Sequence, residues 1–212
     1  MYPDLKDKCA LVTGAGKTTG IGCAIARKLA ASGVHVIIAD LGRVQTDMTQ
    51  VRTATPGEMQ TIAAEIAEAF GVAALAVPLD VTDPSAIAQM VEAVENRFAK
   101  IDILCNNAGA SFGVPSDVAN YDEAAWMKTI DVNLHGVFRV SRAVLPLLRR
   151  NGGGVIINTA SRAGKVPPLF NGADAVAKAG VIMLTKGMAK ELAGVGVRVK
   201  SICPGQSMTD IE

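Results

Sequence analysis

The sequence predicts an α/β protein built on a doubly wound, Rossmann-like parallel sheet, and three observations carry that prediction. Short β-branched runs alternate with longer stretches whose apolar residues recur at helical spacing. The strand-like runs are apolar throughout, as strands are when crossover helices cover both faces of a parallel sheet. A glycine-rich turn follows the first run and opens directly into a helix, as at the start of a βαβ unit. A chain of 212 residues, half of them hydrophobic, can bury one substantial core but is short for two, so residues 1–212 are expected to form a single domain.

The elements follow in order. Cys9-Ala10-Leu11-Val12 reads as the first strand and Ile21 to Ala31 as its helix. Val34 to Ala39 is the second strand, Met59 to Phe70 the second helix and Ala73 to Pro78 the third strand. Ala86 to Phe98 is helical, with Pro84 near its start and Asp83 as a cap before it. Ile101 to Cys105 is the fourth strand, Tyr121 to Arg150 a long helical region and Val155 to Asn158 the fifth strand, set off by Gly152-Gly153-Gly154. Ala173 to Leu192 is the last helix and Val197 to Ile202 the last strand. Leu41 to Gly57 is polar and delays the second helix, so it reads as a surface excursion, most simply a tolerated insertion.

Composition excludes several functions. Lysines and arginines number 21 against 20 aspartates and glutamates, so no global field draws nucleic acid or an anionic membrane. Cys9, Cys23, Cys105 and Cys203 lack the pairing of a zinc site or a redox motif and read as thiols in a reducing compartment; no metal is expected. No apolar run is long enough to span a bilayer, and the polar N-terminus does not resemble a leader, so the expected location is cytoplasmic. The expected partner is a small molecule.

The glycine-rich turn is Thr13-Gly14-Ala15-Gly16-Lys17-Thr18-Thr19-Gly20-Ile21-Gly22. Glycines at Gly14, Gly16, Gly20 and Gly22, with Ile21 opening the helix, let backbone N–H groups approach a pyrophosphate. Gly16-Lys17-Thr18 also invites a P-loop reading, but that motif needs a glycine where Leu11 stands. Asp40 ends the second strand, where a carboxylate accepts both ribose hydroxyls and repels a 2′-phosphate; this favours NAD(H), and the alternative is that Asp40 only caps a loop. Arg43 nearby leaves room for NADP(H).

With Thr13-Gly14 and Gly20-Ile21-Gly22 the chain resembles the short-chain dehydrogenase/reductase family, whose fingerprint is Thr-Gly-x-x-x-Gly-x-Gly; the turn here is two residues longer. The resemblance runs from Lys8 to Thr209. It implies that Asp80-Val81 holds adenine, that Asn107-Ala108-Gly109, within Asn106-Asn107-Ala108-Gly109, is the family's signature after the fourth strand, and that Pro204-Gly205 with Thr209 approaches the nicotinamide carboxamide. It also implies a catalytic set of Asn, Ser, Tyr and Lys. Asn133, Ser161 and Lys178 match three of these, and the tyrosine position is Asp174. The chain's only tyrosines, Tyr2 and Tyr121, lie too far away for a register shift to restore it. Each residue alone has a plain structural reading: Ser161 as a strand-end hydroxyl, Asn133 as a helix-interior amide bonded to backbone, Lys178 as a solvated lysine. Their joint spacing points to an inherited site. His35 and His135 carry no motif and are assigned to structure.

Asp174 is the departure that matters. Reducing a ketone needs a proton at the developing alkoxide, which a phenol beside an ammonium supplies. An aspartate has a free pKa of about 3.9, and Lys178 one helical turn on is expected to push it lower, leaving an acceptor whose side chain ends short of the phenol position. Three accounts compete: an inactivating change, a binding protein that lost its chemistry, or a donor from elsewhere such as Tyr121. The leading expectation is an NAD(H)-dependent oxidoreductase interconverting a secondary alcohol and a carbonyl, impaired at Asp174; the rival is a non-catalytic nicotinamide-nucleotide sensor or scaffold. The resemblance further implies a dimer or tetramer paired through the helices Asp131 to Arg150 and Ala173 to Leu192, and a lid and final strand beyond Thr209 that the sequence, ending at Glu212, is expected to lack.

Overall fold

Alternating strand and helix segments assemble, in a computed structural model that describes residues 2–43, 53–150 and 152–205, into one sheet with helices on both faces. In chain order the elements are β1 (Cys9–Thr13), α1 (Ile21–Ala30), β2 (His35–Asp40), α2 (Pro56–Phe70), β3 (Ala74–Pro78), α3 (Pro84–Phe98), β4 (Ile103–Asn106), α4 (Glu123–Ile130), α5 (Gly136–Arg150), β5 (Gly154–Thr159), α6 (Gly172–Leu192) and β6 (Val197–Ile202). The six strands lie in the order β3-β2-β1-β4-β5-β6 and every pairing is parallel. Strand order therefore reverses between β1 and β4, the point at which a doubly wound sheet opens a crevice at its carboxyl edge.

Alternation along each strand divides the core in two. Cys9 and Leu11 of β1 with Ile37 of β2 pack against Met90 and Val94 of α3, Val144 and Leu148 of α5 and Leu192 of α6. Ala10, Val12, Val36 and Ile38 face the other way, against Cys23 and Ala26 of α1 and Ile62 and Ile66 of α2. Full burial of a side chain such as Leu11 or Ile37 contributes about 1.5–3 kcal/mol. β6 departs from the apolar-throughout pattern: Val197 and Val199 are buried while Arg198 and Lys200 are exposed, so only one face is covered among the described residues.

The differences from the sequence reading are at boundaries. α2 starts at Pro56, because Thr55 and Glu58 form a reciprocal capping box. The stretch expected to be helical from Tyr121 is α4 and α5 joined by a π-helical turn, Asp131–His135. Within the polar excursion, residues 44–52 lie outside those described. Asp83 caps α3 as expected. His35 is structural, its Nδ1 accepting the Ala73 N–H at 3.0 Å, and burial pushes the Cys9 and Cys105 thiols up to about 12, which leaves them unreactive near neutrality. Among the described residues no helix is long and apolar enough to cross a membrane, and no group of ligating side chains could hold a metal ion.

Candidate active site

A cavity of about 440 Å³ runs along the carboxyl ends of the strands, from Asp40 and Thr53 at one end to Asn133, Ser161, Asp174 and Lys178 at the other. Gly14, Gly20, Ile21, Asp80, Val81, Asn107, Ala108, Gly109, Pro204 and Gly205 line it in between. The cavity thus brings together most of the residues that the sequence singled out. Gly16 and Gly22 stand behind the wall, and Thr209 lies outside the described residues.

The turn is shaped by contacts that leave no room for side chains. Gly14 has φ +64°, and a Cβ there would sit 2.8 Å from Ala108 Cα. A Cβ at Gly22 would come within 2.3 Å of the Gly14 carbonyl oxygen. Thr13 fastens this turn to the segment after β4, its Oγ1 accepting from Asn107 N at 2.9 Å and Ala108 N at 3.0 Å. Asn107 Nδ2 returns hydrogen bonds to the carbonyls of Thr13 and Gly14 at 3.2 and 3.1 Å. The N-cap of α1 is Gly20, which has no side chain to bond the backbone N–H groups of the first turn.

Asp40 caps the loop backbone and also lines the cavity. Its carboxylate accepts from Gly16 N and Leu41 N, each at 2.8 Å, and still lines the cavity. Arg43 is drawn to Asp80 at 2.7 Å, while the second oxygen of Asp80 accepts from Thr82 N and Oγ1.

At the far end each side chain is positioned by its own element. Asn133 sits in the π-helical turn, an irregularity often found at functional sites. Its amide donates to the Ala110 and Thr129 carbonyls, and its Oδ1 is brought against Gly109. Ser161 follows β5 and accepts from Ala163 N at 3.0 Å, leaving its O–H free to donate. Lys178 reaches back from α6 to the Thr159 carbonyl at 3.1 Å. A buried network that sequence reading missed holds α5 and α6 to the sheet: Asn106 donates to Ser141 Oγ and Asn158 Oδ1, and Asn158 donates to Thr185 Oγ1, each at 2.9 Å. Only its buried asparagines, inside apolar strands, could have signalled it.

One expectation is overturned. Asp174 was expected below the ordinary carboxylate range because Lys178 follows one turn later. Burial in the cavity wall raises it instead, and outweighs the opposing pull of Lys178. The same burial lowers Lys178, against the pull of Asp174. Tyr121 is also placed: its hydroxyl donates to the Phe112 carbonyl at 2.7 Å and its ring meets Trp126 edge-on, and it is not among the residues that line the cavity.

Comparison with known proteins agrees with this geometry. A family model described as short chain dehydrogenase matches residues 8–212. The chain is 38% identical over 204 residues to a D-beta-hydroxybutyrate dehydrogenase of Rhizobium meliloti, covering 96% of this chain and 73% of that protein. It is 41% identical to 3beta-hydroxysteroid dehydrogenase 1 of Eggerthella lenta, covering 100% of this chain and 75% of that protein. Among solved structures it resembles carveol dehydrogenase from Mycobacterium avium in complex with NAD, with TM-score 0.91 and 27% identity over 97% of this chain and 73% of that one. It also resembles L-sorbose reductase from Gluconobacter frateurii complexed with NADPH and L-sorbose, with TM-score 0.86 and 31% identity over 99% of this chain and 73% of that one.

Proposed function

The chain belongs to the short-chain dehydrogenase/reductase family of oxidoreductases, and from that premise we propose that it is an NAD(H)-dependent enzyme interconverting a secondary alcohol and a carbonyl compound. The observation that carries the reading is the single cavity joining the glycine turn and Asp40 to Asn133, Ser161, Asp174 and Lys178.

The residues fit a nicotinamide dinucleotide. The Gly14 and Gly22 contacts keep the turn bare, the uncapped start of α1 offers N–H groups to a pyrophosphate, and Asp80 and Val81 line the adenine end. Asp40 supports NAD(H) over NADP(H), since its carboxylate repels a 2′-phosphate and Arg43 is engaged with Asp80. When bound, the nicotinamide supplies or accepts the hydride. Pro204 and Gly205 bound the nicotinamide end, with Thr209 assigned there by the family pattern.

Lys178 would hold the nicotinamide ribose, and the free O–H of Ser161 would hold the substrate oxygen. Asn133, fixed to two backbone carbonyls, would support a water path. Asp174 stands where the proton must enter, and with its affinity for protons raised by burial it donates while protonated and ceases to as pH rises through its folded pKa. Carbonyl reduction by this chain is therefore expected to decline toward alkaline pH. A poorly positioned acid costs about 10²–10⁴ in rate, so turnover of ketones is expected to be slow. Asp174 also favours the second reading, a nucleotide-binding protein without turnover.

The exposed Met127, Phe138, Val176 and Met183 on α4, α5 and α6 support a dimer or tetramer paired through these helices; light scattering showing only monomer would count against the pairing. The direct test of function measures NADH and NADPH binding by calorimetry, then carbonyl turnover by this chain and by Asp174→Tyr. Binding of NADH with turnover raised at least roughly tenfold in Asp174→Tyr is the expected outcome. NADH binding with no turnover in either form supports the sensor, and failure to bind NADH removes both readings.

A further inference from the structure

At the substrate end of the cavity two side-chain acceptors receive no hydrogen bond among the described residues. Asp174 has longer-range electrostatic partners in Lys178 and Tyr121 but, among the described residues, no hydrogen bond. Asn171, also in the cavity wall, stands at the N-cap of α6, where an asparagine side chain ordinarily bonds the backbone N–H groups of the first turn. Here it makes no cap bond, and its Oδ1 is buried without a partner. Of the nearby donors, Tyr121 gives its hydroxyl to the Phe112 carbonyl and Lys178 gives one of its N–H groups to the Thr159 carbonyl. Ser161 has an O–H free to donate, while Asp174 and Asn171 Oδ1 are acceptors that receive no hydrogen bond among the described residues. A buried acceptor left unpaired destabilises the fold around it.

A ketone does not complete such a site. Its oxygen brings no donor, so although protonated Asp174 can give it a proton, the carboxylate left behind and Asn171 Oδ1 stay unpaired. A protonated carbon–nitrogen double bond does complete it, because the nitrogen carries N–H and positive charge together. Resting on the reading that this cavity binds reduced nicotinamide dinucleotide, we propose that its preferred substrate class is the imine, reduced to a secondary amine, with Asp174 and Asn171 receiving the nitrogen.

The step balances. The O–H bond of protonated Asp174 breaks as an N–H bond forms on the imine nitrogen, giving a cationic C=N–H against a carboxylate. Hydride from the reduced nicotinamide forms a C–H bond at the imine carbon, and the C=N π pair becomes the nitrogen lone pair. The nicotinamide is oxidised, the imine is reduced to the amine, and the carboxylate takes a proton from water. The short aspartate leaves space where a phenol would otherwise stand, and the substrate nitrogen occupies it.

The first readout is equilibrium binding, independent of turnover. In calorimetry on the full chain with NAD present, pyrrolidine, cationic near neutral pH, is expected to bind at least roughly tenfold more tightly than cyclopentanol, its neutral counterpart. Asp174→Asn keeps the shape and removes the charge, and should cost pyrrolidine roughly tenfold to a hundredfold while leaving cyclopentanol unchanged. Asn171→Ala should weaken pyrrolidine by a smaller factor and serves should Asp174→Asn not fold. The second readout is NADH oxidation with a methylpyrroline against cyclopentanone, with the imine faster in this chain and the ketone faster in Asp174→Tyr. Equal binding of pyrrolidine and cyclopentanol, or no change in Asp174→Asn and Asn171→Ala, overturns the proposal. If that happens while NADH binds and Asp174→Tyr reduces cyclopentanone, the oxidoreductase reading stands alone; if NADH does not bind, both fall.

Discussion

At the amino ends of the strands Asp102 is buried, and its carboxylate accepts from Cys9 N at 2.9 Å and Lys8 Nζ at 3.3 Å. Backbone groups around it pair in sequence: Asp102 N to the Cys9 carbonyl, Val155 N to the Asp102 carbonyl and Gly154 N to the Gly196 carbonyl. At the carboxyl ends Asp174 has no hydrogen bond among the described residues and Asn171 Oδ1 is buried unpaired. Both ends carry a partly or fully buried aspartate, and only one of them is hydrogen-bonded among the described residues. A polar group that the fold satisfies serves the fold; one that it leaves wanting is stabilised only by what binds there. Three substitutions put that contrast at risk.

The largest effect is expected from Gly22→Ala. The new methyl group would lie 2.3 Å from the Gly14 carbonyl oxygen and 2.7 Å from Asn107 Nδ2, so the turn must shift. Misplacement by about an ångström can cost about 10²-fold, and NADH affinity, measured by fluorescence titration, should fall by at least that factor. Retained affinity would mean that the turn does not set the binding geometry.

Asp102→Ala acts at the other end. It strips the acceptor from the Cys9 N–H, a loss of about 1–3 kcal/mol. The ion pairs to Lys8 and Lys100 add little, because both lysines are well exposed. At about 2–4 °C per kcal/mol for a chain of this size, Tm should drop by roughly 2–12 °C with NADH affinity of the folded protein unchanged. Loss of affinity in parallel with Tm would erase the distinction between the two ends.

The same contrast explains what was legible in the sequence. Glycines act through backbone within a few residues, so their spacing pointed to the turn, and the family resemblance added Thr13 and the Asn107-Ala108-Gly109 run that line up beside it. Capping signals are local too, and Thr55 to Glu58 was readable as a capping box though the helix was expected to start later. Asp174 was legible as a departure but not in its consequence. Its neighbour Lys178 is visible in the sequence at one turn's distance, whereas the burial that outweighs it comes from walls contributed by segments far apart in the chain. The Asn106–Asn158–Thr185 network and the diverted N-cap of Asn171 depend on packing in the same way. The π-helical turn at Asn133 shifts the apolar phase at a single point inside a long helical stretch, which reading the stretch as one helix passes over.

The smallest predicted effect follows from the direction in which Asp174 is shifted. Its folded pKa is raised, so between the ordinary carboxylate range and that raised value the folded chain holds a proton that the unfolded chain has lost. Stability then falls as pH rises through this window, and above it a constant deficit remains. The attraction of Lys178 is already included in that direction, since burial prevails over it. Asp174→Asn preserves the shape and removes the ionisable group, and should raise Tm near neutral pH, by less than Asp102→Ala lowers it, while flattening this part of the pH dependence. The gain should vanish at acid pH, where the aspartate is protonated in both states. A variant that melts at or below the parent temperature near neutrality would show Asp174 to be satisfied like Asp102, and the two ends of the sheet would then obey one rule.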